Sequence, residues 1–278
     1  MDDAMNIAIA ALIVLAATAV AVTVMLAARR RAPDGGYFAD GDRAAGIFGV
    51  LATGFSVLLG FLIFLGFESY DASRSGAERE ALTVAQQIQT AQLLPVGVGG
   101  ELTGQLVCYA RFVIHGEWDR MEAGTLGEDI NPWGVEMFRT LQGVELSSPV
   151  EETAYGKWLD QTSTREEARQ DRIHGAVGVM PTPLWIGLFV ILAIVLVYMF
   201  GFADSGERAW VQGMYAGSVV AVIVTMLLLL GFLDEPFRGD VGGLQPVAME
   251  RTELIIDQQL AVIGGDVTIP CDAAGIPA

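Results

Sequence analysis

The sequence predicts an all-α integral membrane protein, with four transmembrane helices and a helical extramembrane domain between helices 2 and 3. The first observation is composition: 53% of the 278 residues are hydrophobic and 18% are charged, whereas a soluble domain has roughly 25% charged residues. The second observation is that apolar residues form separate blocks of about 20 residues, the length that crosses a bilayer. The third is a long charged segment in the middle of the chain.

Four segments of membrane-spanning length contain no Lys, Arg, Asp or Glu: 6–28, 44–67, 184–203 and 211–233. Hydrocarbon offers the backbone no hydrogen-bond partner, so each segment is predicted to be a helix. The first is not expected to be a secretory signal, because no positive charge precedes it. The chain then divides into a first helix pair, an extramembrane domain, a second helix pair and a C-terminal tail: 1–67, 68–183, 184–233 and 234–278.

The extramembrane segment 68–183 is predicted to be helical and acidic. It holds 9 basic and 18 acidic residues, a net charge of −9. The second span should continue as a helix until Pro95 ends it. A further helix is marked by an apolar stripe of Leu102, Leu106, Tyr109 and Val113. Two more helices are expected, around 133–141 and from about 149 to 172.

The C-terminal tail has two parts in this interpretation. Residues 244–263 show the spacing of a helix. The residues after Gly264 and Gly265 are small and without pattern. We therefore expect the tail to be partly disordered.

The charges near the spans bear on orientation in the membrane. An even number of spans puts the N-terminus, the extramembrane domain and the tail on one side. Arg29, Arg30 and Arg31 directly follow the first span, so the positive-inside rule leans toward an extracytoplasmic domain. Arginines that flank spans on the domain side weigh against this: Arg74, Arg79, Arg165, Arg169, Arg172 and Arg238. All basic residues except Lys157 are Arg, which suggests a GC-rich bacterium and its inner membrane.

The second span has an unusual distribution of small and aromatic residues. Small residues share one helical face at Gly49, Thr53, Ser56 and Gly60, and such a face lets helices approach closely. Phenylalanine rings that face a central axis could form an apolar constriction that gates by dewetting. The alternative is that these rings face lipid or neighbouring helices, as apolar side chains of membrane helices commonly do.

The fourth span repeats small residues every four positions. Gly213, Gly217 and Ala221 lie on one face, followed by Thr225. This spacing contains a GxxxG pattern and predicts a helix-packing seam. The pattern fits packing within a subunit and packing between subunits equally well.

Nothing in the sequence indicates catalysis or a metal site. His115 and His174 have no partner at ligand spacing, and the nucleophile-elbow, P-loop and HExxH motifs are absent. One compact polar set occurs, at Glu68, Asp71, Arg74 and Glu78. Within it, Asp71 and Arg74 are expected to form an ion pair on a helix surface. We predict no enzymatic activity, no cofactor and no metal.

The remaining charges and the cysteines restrict the partners. The net charge of −17 is unsuited to nucleic acid, which requires basic patches. Cys108 and Cys271 fall on the same side of the membrane. They can pair only if that side is oxidising, and the sequence leaves this open.

Three stretches resemble bestrophins, and more closely the bacterial bestrophin-like domain family. One runs from Gly60 to Arg74 and on to Glu78 and Glu80, a Phe-rich helix end followed by polar residues. Another is an acidic-Pro-Phe-Gly turn after the fourth span, with Arg238 inserted: Asp234, Glu235, Pro236, Phe237, Gly239 and Asp240. The third comprises Tyr109, Arg111, Glu117 and Trp118. The order of spans and middle domain is also similar.

The resemblance implies a homo-oligomeric ion channel, pentameric as in bestrophins, with a pore lined by the second span. The neck then falls on Phe55 and Phe61, with Ser56 and Gly60 nearby. The turn begins a calcium clasp in the animal proteins. Here Val241-Gly242-Gly243 stands where an acidic run would be expected, so no metal site is predicted. The resemblance also implies a cytoplasmic domain, opposite to the arginine pattern.

The sequence therefore predicts a passive channel whose partners are the lipid bilayer, copies of itself and inorganic ions. An acidic vestibule raises the local cation concentration, so we expect cation preference or weak selectivity. The alternative is a non-conducting membrane scaffold or sensor whose acidic middle domain binds a partner.

Overall fold

The computed structural model describes residues 2–125, 131–176, 178, 180–239, 241–263 and 267–278. These residues form nine α-helices: α1 (Asp2–Arg31), α2 (Gly41–Ala91), α3 (Val96–Phe112), α4 (Trp118–Glu122), α5 (Pro132–Gln142), α6 (Pro149–His174), α7 (Thr182–Gly201), α8 (Ala209–Asp234) and α9 (Val247–Ile263). A π-helical turn, Val113–Glu117, joins α3 to α4. The described part of the chain has no strand, and its one isolated β-bridge joins Cys271 to Pro277.

Four helices are long and apolar enough to cross a membrane, namely α1, α2, α7 and α8. They overlap the four segments that the sequence predicted as spans. The longest is α2, which continues for 51 residues without interruption. It ends shortly before Pro95, which precedes the first residue of α3 and has no N–H to continue a helix.

The chain forms two compact units. The first, here the membrane unit, comprises Met1–Glu68, Val179–Asp234 and Asp240–Gly242. Within it α1 packs on α8. The first half of α2 packs through Phe55 and Leu59 into an apolar cluster that includes Leu188 of α7 and Leu230 of α8.

Arg29 joins the end of α1 to the short loop that precedes α8. Its guanidinium donates hydrogen bonds to the carbonyl oxygens of Ser205 and Glu207, at 2.8 and 2.6 Å. The hydroxyl of Ser205 donates in turn to Asp34 at 2.6 Å. One of the three arginines after the first span therefore has a structural role at the ends of the helices.

The second unit, here the helical unit, comprises Ser69–Gly178, Glu235–Gly239 and Gly243–Ala278. Its core is formed around α3, which is buried along most of its length. The second half of α2 and α6 approach very closely at Gly76. A β-carbon there would lie 2.5 Å from the backbone nitrogen of Arg172, so only glycine permits this contact.

Residues 267–278 differ from the predicted disorder of the tail. They form a small hairpin in which the Asp272 N–H donates to the Ile276 carbonyl at 3.0 Å. A disulfide joins Cys271 to Cys108 of α3, with their Cα atoms 5.8 Å apart. Trp133 also donates a hydrogen bond to the Gly275 carbonyl at 2.7 Å. The tail sequence shows no apolar periodicity because the segment is held by one disulfide and by backbone contacts. Neither of these requires apolar residues at a fixed spacing.

Candidate functional site

The part of α2 that belongs to the membrane unit, up to Glu68, has one face that no other described helix of the subunit covers. Phe61, Phe64 and Phe67 are 56, 55 and 54% exposed on this face. Ser56 and Gly60 are exposed as well, and the Ser56 hydroxyl bonds back to the Ala52 carbonyl at 2.8 Å. Three of the predicted neck residues, Ser56, Gly60 and Phe61, therefore lie on an open helix surface.

Phe55 does not lie on that face, which corrects its prediction as a neck residue. Its side chain is 3% exposed and belongs to an apolar cluster with Leu59, Leu188 and Leu230. A ring that fills the core of one subunit is not available to line a pore. The reason is helical geometry: Phe55 is nine residues before Phe64, the middle ring of the exposed set, which puts the two on opposite sides of the helix at 3.6 residues per turn.

The exposed face of α2 is also lined with small residues. At Gly46, Gly49, Gly54 and Gly60, nothing lies within 4 Å of where a β-carbon would be. The α1 sequence instead contains no glycine, and its exposed residues include large aliphatic ones, for example Leu12, Leu15 and Val20. Large aliphatic side chains suit lipid, whereas small ones suit the close approach of other helices.

The predicted helix-packing seam on α8 faces α1. A β-carbon at Gly213 would lie 3.3 Å from Val22, and one at Gly217 would lie 3.1 Å from Val22 and 3.3 Å from Thr18. Ala221 follows one turn later and is half-buried. Of the two alternatives that the sequence left open, the structure has packing within one subunit.

Asp234, the first residue of the acidic-Pro-Phe turn, accepts two hydrogen bonds within the membrane unit. Its Oδ1 accepts from the Met180 backbone N–H at 2.7 Å, and its Oδ2 accepts from Trp185 Nε1 at 3.2 Å. Free N–H groups near the start of a helix favour such an acceptor. Both carboxylate oxygens are therefore occupied at the beginning of α7.

Pro236 and Phe237, the next part of the turn, are packing residues of the helical unit. Phe237 is 2% exposed, and its ring meets Trp118 edge-on with centroids 5.4 Å apart. Leu244 links the same groups, because its N–H donates to the Pro236 carbonyl at 2.8 Å and its carbonyl accepts from Trp118 Nε1 at 3.1 Å.

The remaining turn residues lie near the surface. Glu235 pairs with Arg238 at 2.6 Å, and both are solvent-exposed. Gly239 lies against the Glu122 carboxylate, which would have to shift to make room for a β-carbon. Asp240 lies outside the described residues. No cluster of three or more metal-ligating side chains occurs in the part of the chain that the structure describes.

The helical unit contains a buried ionic network that the sequence reasoning did not identify as a site. Arg172 is fully buried, and its guanidinium bonds the Glu80 carboxylate at 2.5 and 3.2 Å. A second bond joins Arg172 to Glu117, which also accepts from Arg169 at 2.9 Å. Tyr109 donates to Glu80 at 2.6 Å. Two carboxylates thus face two guanidiniums, as burial of charge requires.

Arg165 extends the network on the other side of Tyr109. Its guanidinium lies 4.7 Å from the centroid of the Tyr109 ring and donates to the Gln87 side-chain oxygen at 2.8 Å. It also pairs with Glu166 at 3.3 Å. Arg165 is 1% exposed, so its charge is largely withdrawn from the surface.

The pKa values in the network follow from burial and pairing. Burial by itself would raise the pKa of Glu117, but Arg172 and Arg169 outweigh burial and hold that pKa below its ordinary value. Burial, reinforced by the Glu80 carboxylate, raises the pKa of Tyr109 well above its ordinary value. Tyr109 is therefore a protonated donor and Glu117 an ionised acceptor near neutral pH, which indicates a structural network.

The signal for this network was present in the sequence, although its meaning was not. Glu80, Tyr109 and Glu117 belong to the stretches that resemble the family. Their partner Arg172 is 92 residues from Glu80 along the chain, a separation that no local pattern spans. The π-helical turn Val113–Glu117 ends at Glu117, and such turns are rare but frequent at functional sites.

The compact polar set on α2 is arranged differently from the prediction. Arg74 pairs with Glu78 at 3.3 Å instead of with Asp71. The pair has i,i+4 spacing, at which side chains on a helix are neighbours. Arg74 and Glu78 are each 61% exposed, so this is a surface pair.

Comparisons of the sequence and of the structure with known proteins point to the same family. A family model for the Bestrophin-like domain matches residues 13–242. A point mutant of a bacterial bestrophin homologue from Klebsiella pneumoniae matches with a TM-score of 0.67 at 12% identity, over 87% of this chain and 98% of that chain. The form of that homologue solved by Zn-SAD phasing matches with a TM-score of 0.67 at 13% identity, over 90% and 98%. At these identities the likeness shows the fold alone. No match was found among curated proteins.

Proposed function

The chain belongs to the Bestrophin-like domain family, and from this we propose that it forms a homo-oligomeric, passively conducting ion channel in the cell membrane. In this proposal α1, α2, α7 and α8 are the four spans, and the helical unit lies outside the bilayer. The number of subunits is five if assembly follows bestrophins. The permeant species are inorganic ions.

One observation carries the proposal: the uncovered face of α2 is rich in glycine and phenylalanine, with Ile47, Val50 and Val57 as its exposed aliphatic residues. Four glycines on this half of the helix have open space beyond the backbone. Copies of α2 can therefore approach one another around an axis. Phe61 is the neck residue we propose, because its ring is 56% exposed on this face, and apolar rings can gate a pore by dewetting.

The charge distribution favours cations. Segment 68–183 has a net charge of −9, and its buried charges balance one another. Arg165 and Arg172 are buried together with Glu80 and Glu117. The acidic excess is therefore concentrated on the solvent-exposed surface, and we propose cation preference or weak selectivity.

Current through a planar bilayer containing the purified protein tests the channel. Under a KCl gradient, Phe61→Ala is expected to change the unitary conductance or the leak. The matched control is Phe189→Ala, which removes a ring that is 51% exposed on α7. Absence of current from a stable, monodisperse oligomer would refute conduction and favour the alternative of a non-conducting membrane scaffold. A reversal potential near that of chloride would refute cation preference.

We further propose that the helical unit faces the oxidising, extracytoplasmic side of a bacterial inner membrane. Two independent features support this orientation. Arg29, Arg30 and Arg31 follow α1, where the positive-inside rule places the cytoplasm. The helical unit contains the Cys108–Cys271 disulfide, and such bonds persist in oxidising compartments. The resemblance to bestrophins implied the opposite orientation.

Thiol trapping in intact cells tests the orientation. Cells are treated with alkylating reagent before lysis, and the protein is run on a gel without reductant. An extracytoplasmic unit is expected to yield protein with both cysteines protected until reductant is added. Full alkylation without reductant would place Cys108 and Cys271 in a reducing compartment and refute the orientation. Cys271→Ser provides the reference for a single free thiol.

A further inference from the structure

A groove between α1 and α8 is used neither by the packing of the membrane unit nor by the proposed pore. Its volume is about 750 Å³. The α1 wall is formed by Thr18, Val22 and Leu26, and the α8 wall includes Trp210, Met214 and Ser218. The floor lies at the seam, where Gly213 and Gly217 bring the helices together. Nearly all of this lining is apolar.

The length of the groove matches one leaflet of a bilayer. It extends along α8 from Ala209 to Ala221, about 18 Å at a rise of 1.5 Å per residue. Half of the hydrocarbon core is about 15 Å thick. The groove therefore has the length of one extended acyl chain.

A cation lies one helical turn beyond the last α1 residue of the groove wall. Arg30 is one helical turn beyond Leu26 of the groove wall. It is solvent-exposed, and among the described residues it makes no hydrogen bond or ion pair. Its neighbour Arg29 is instead bonded to carbonyl oxygens just before α8, which fixes this end of α1 beside Trp210. Trp210 is 64% exposed, as an interfacial anchor would be.

We propose that the groove binds a phospholipid with a negatively charged headgroup. One acyl chain lies between α1 and α8, and Arg30 contacts the phosphate at the interface. The glycines of the floor and the small side chain of Ser218 leave the space for the chain. A helix of a second copy would fill an apolar groove but would leave Arg30 without a counter-charge.

The proposal does not require conduction. Under the orientation proposed above, the groove opens to the cytoplasmic leaflet, which is rich in anionic lipid. Binding is measured on purified protein without current, so a silent protein can still bind lipid. Failure of lipid binding would likewise leave the channel proposal standing.

Native mass spectrometry of the full-length protein in detergent tests the site. The protein is titrated with phosphatidylglycerol and with phosphatidylcholine of the same acyl chains. We expect phosphatidylglycerol to bind about fivefold more tightly, the effect of one interfacial arginine. Arg30→Gln should abolish this preference. Arg43→Gln is the matched control, because it removes an exposed arginine from the first turn of α2 and should leave the preference unchanged.

A second pair of variants tests the groove itself. Ser218→Trp fills the groove and should lower the affinity for both lipids at least severalfold. Val219→Trp adds the same ring to a neighbouring position that does not line the groove and should have little effect. If a variant is not monodisperse, quenching of tryptophan fluorescence by brominated lipid in the unmodified protein decides instead. Quenching should be stronger with the anionic lipid and weaker in Trp210→Phe.

Three outcomes would overturn the proposal. Equal affinity for the two lipids, or a preference that survives Arg30→Gln, would mean that lipid only surrounds the protein without a site. A change in subunit number in Ser218→Trp, with lipid binding unchanged, would mean that a second copy occupies the groove. Equal quenching by the two brominated lipids would exclude recognition of the headgroup.

Discussion

Arg172 is the residue on which most buried polar contacts of the helical unit converge. It neutralises Glu80 and Glu117, and its guanidinium lies 5.6 Å from the centroid of the Trp118 ring. Its backbone lies against Gly76 of α2. One side chain therefore connects α6 with α2 and with the π-helical turn. A buried pair of this kind is weak evidence of net stability, but its disruption is costly.

Replacement of Arg172 by Met should destabilise the helical unit strongly. The change leaves Glu80 buried without a counter-charge and leaves Glu117 with Arg169 alone, and breaking a buried pair typically costs about 3–5 kcal/mol. Denaturant unfolding of the purified protein measures this. The double variant that adds Glu80→Gln should recover part of the loss, because the carboxylate left without a partner is removed. Equal stability of the single variant and the unmodified protein would contradict the assignment.

The protein should lose stability at acidic pH, and part of that loss should come from protonation of Glu117. Its pKa is lower in the folded protein than its ordinary value, so the unfolded state binds more protons as pH falls. The contribution is fully present above the ordinary glutamate pKa of about 4.3 and is lost as pH decreases through the folded pKa. Thermal unfolding from pH 7 to pH 3 should show this loss.

Glu117→Gln is the control for this loss of stability at acidic pH. The variant should be less stable at pH 7, because Arg172 and Arg169 lose a charged partner. Its stability should also depend less on pH below about 4.3. If the variant lost as much stability at acidic pH as the unmodified protein, other carboxylates would be responsible for the effect.

At the level of elements, α3 holds the C-terminal tail through close backbone contacts, although the tail has no apolar pattern. Gly104, Cys108 and Phe112 occupy one face of α3, at spacings of four residues. The tail passes over this face, with the Thr268 carbonyl at Gly104 and Gly275 at Phe112. Gly275 has a φ of +78°, a conformation that other residues rarely adopt. The disulfide lies at the middle of the three contacts.

Gly104→Ala should therefore release the tail from α3. The added β-carbon would collide with the Thr268 backbone, which cannot move away as a flexible side chain would. Hydrogen exchange of the amides in 267–278 should become faster. Gly100→Ala is the matched control one turn earlier, where nothing lies within 4 Å. There alanine should be neutral or stabilise the helix by about 0.5–1 kcal/mol. Equal exchange in the two variants would refute the contact.

At the level of the whole molecule, charge and the long helix α2 bear on the proposed conduction. The exposed face of α2 continues beyond Phe64 and Phe67 to Glu68 and Asp71, each four residues further along the helix. Both carboxylates are exposed, and neither has an ion-pair partner among the described residues. In an oligomer arranged around α2, they would form rings of negative charge beyond the neck. Such rings select cations.

Neutralisation of these rings should weaken cation preference. In the double variant Glu68→Gln with Asp71→Asn, the reversal potential under a KCl gradient should move toward zero, because each subunit loses two charges. The control is Glu167→Gln, which neutralises an exposed carboxylate on α6 and should have a smaller effect. A shift of the same size in the control would indicate that the total charge decides selectivity, without a specific role for α2.

The sequence by itself determined the features that depend on local composition. Uncharged apolar blocks must bury their backbone polar groups in helices, so α1, α2, α7 and α8 could be recognised with bounds close to those observed. Proline and glycine marked the end of α2 and the turn before α3. The same local reasoning identified the seam on α8, because close helix approach requires small residues at a fixed spacing.

Only the tertiary structure decided which face of each helix is covered, since that depends on partners far away in the chain. Phe55 and Phe61 are both apolar residues of one span, yet contacts with α7 and α8 bury the first and leave the second exposed. Glu80 meets Arg172 across 92 residues, and Cys108 meets Cys271 across 163. Periodicity describes a helix and its neighbours in sequence. Pairing of buried charges, thiols and core side chains is settled by the packing that brings distant segments together.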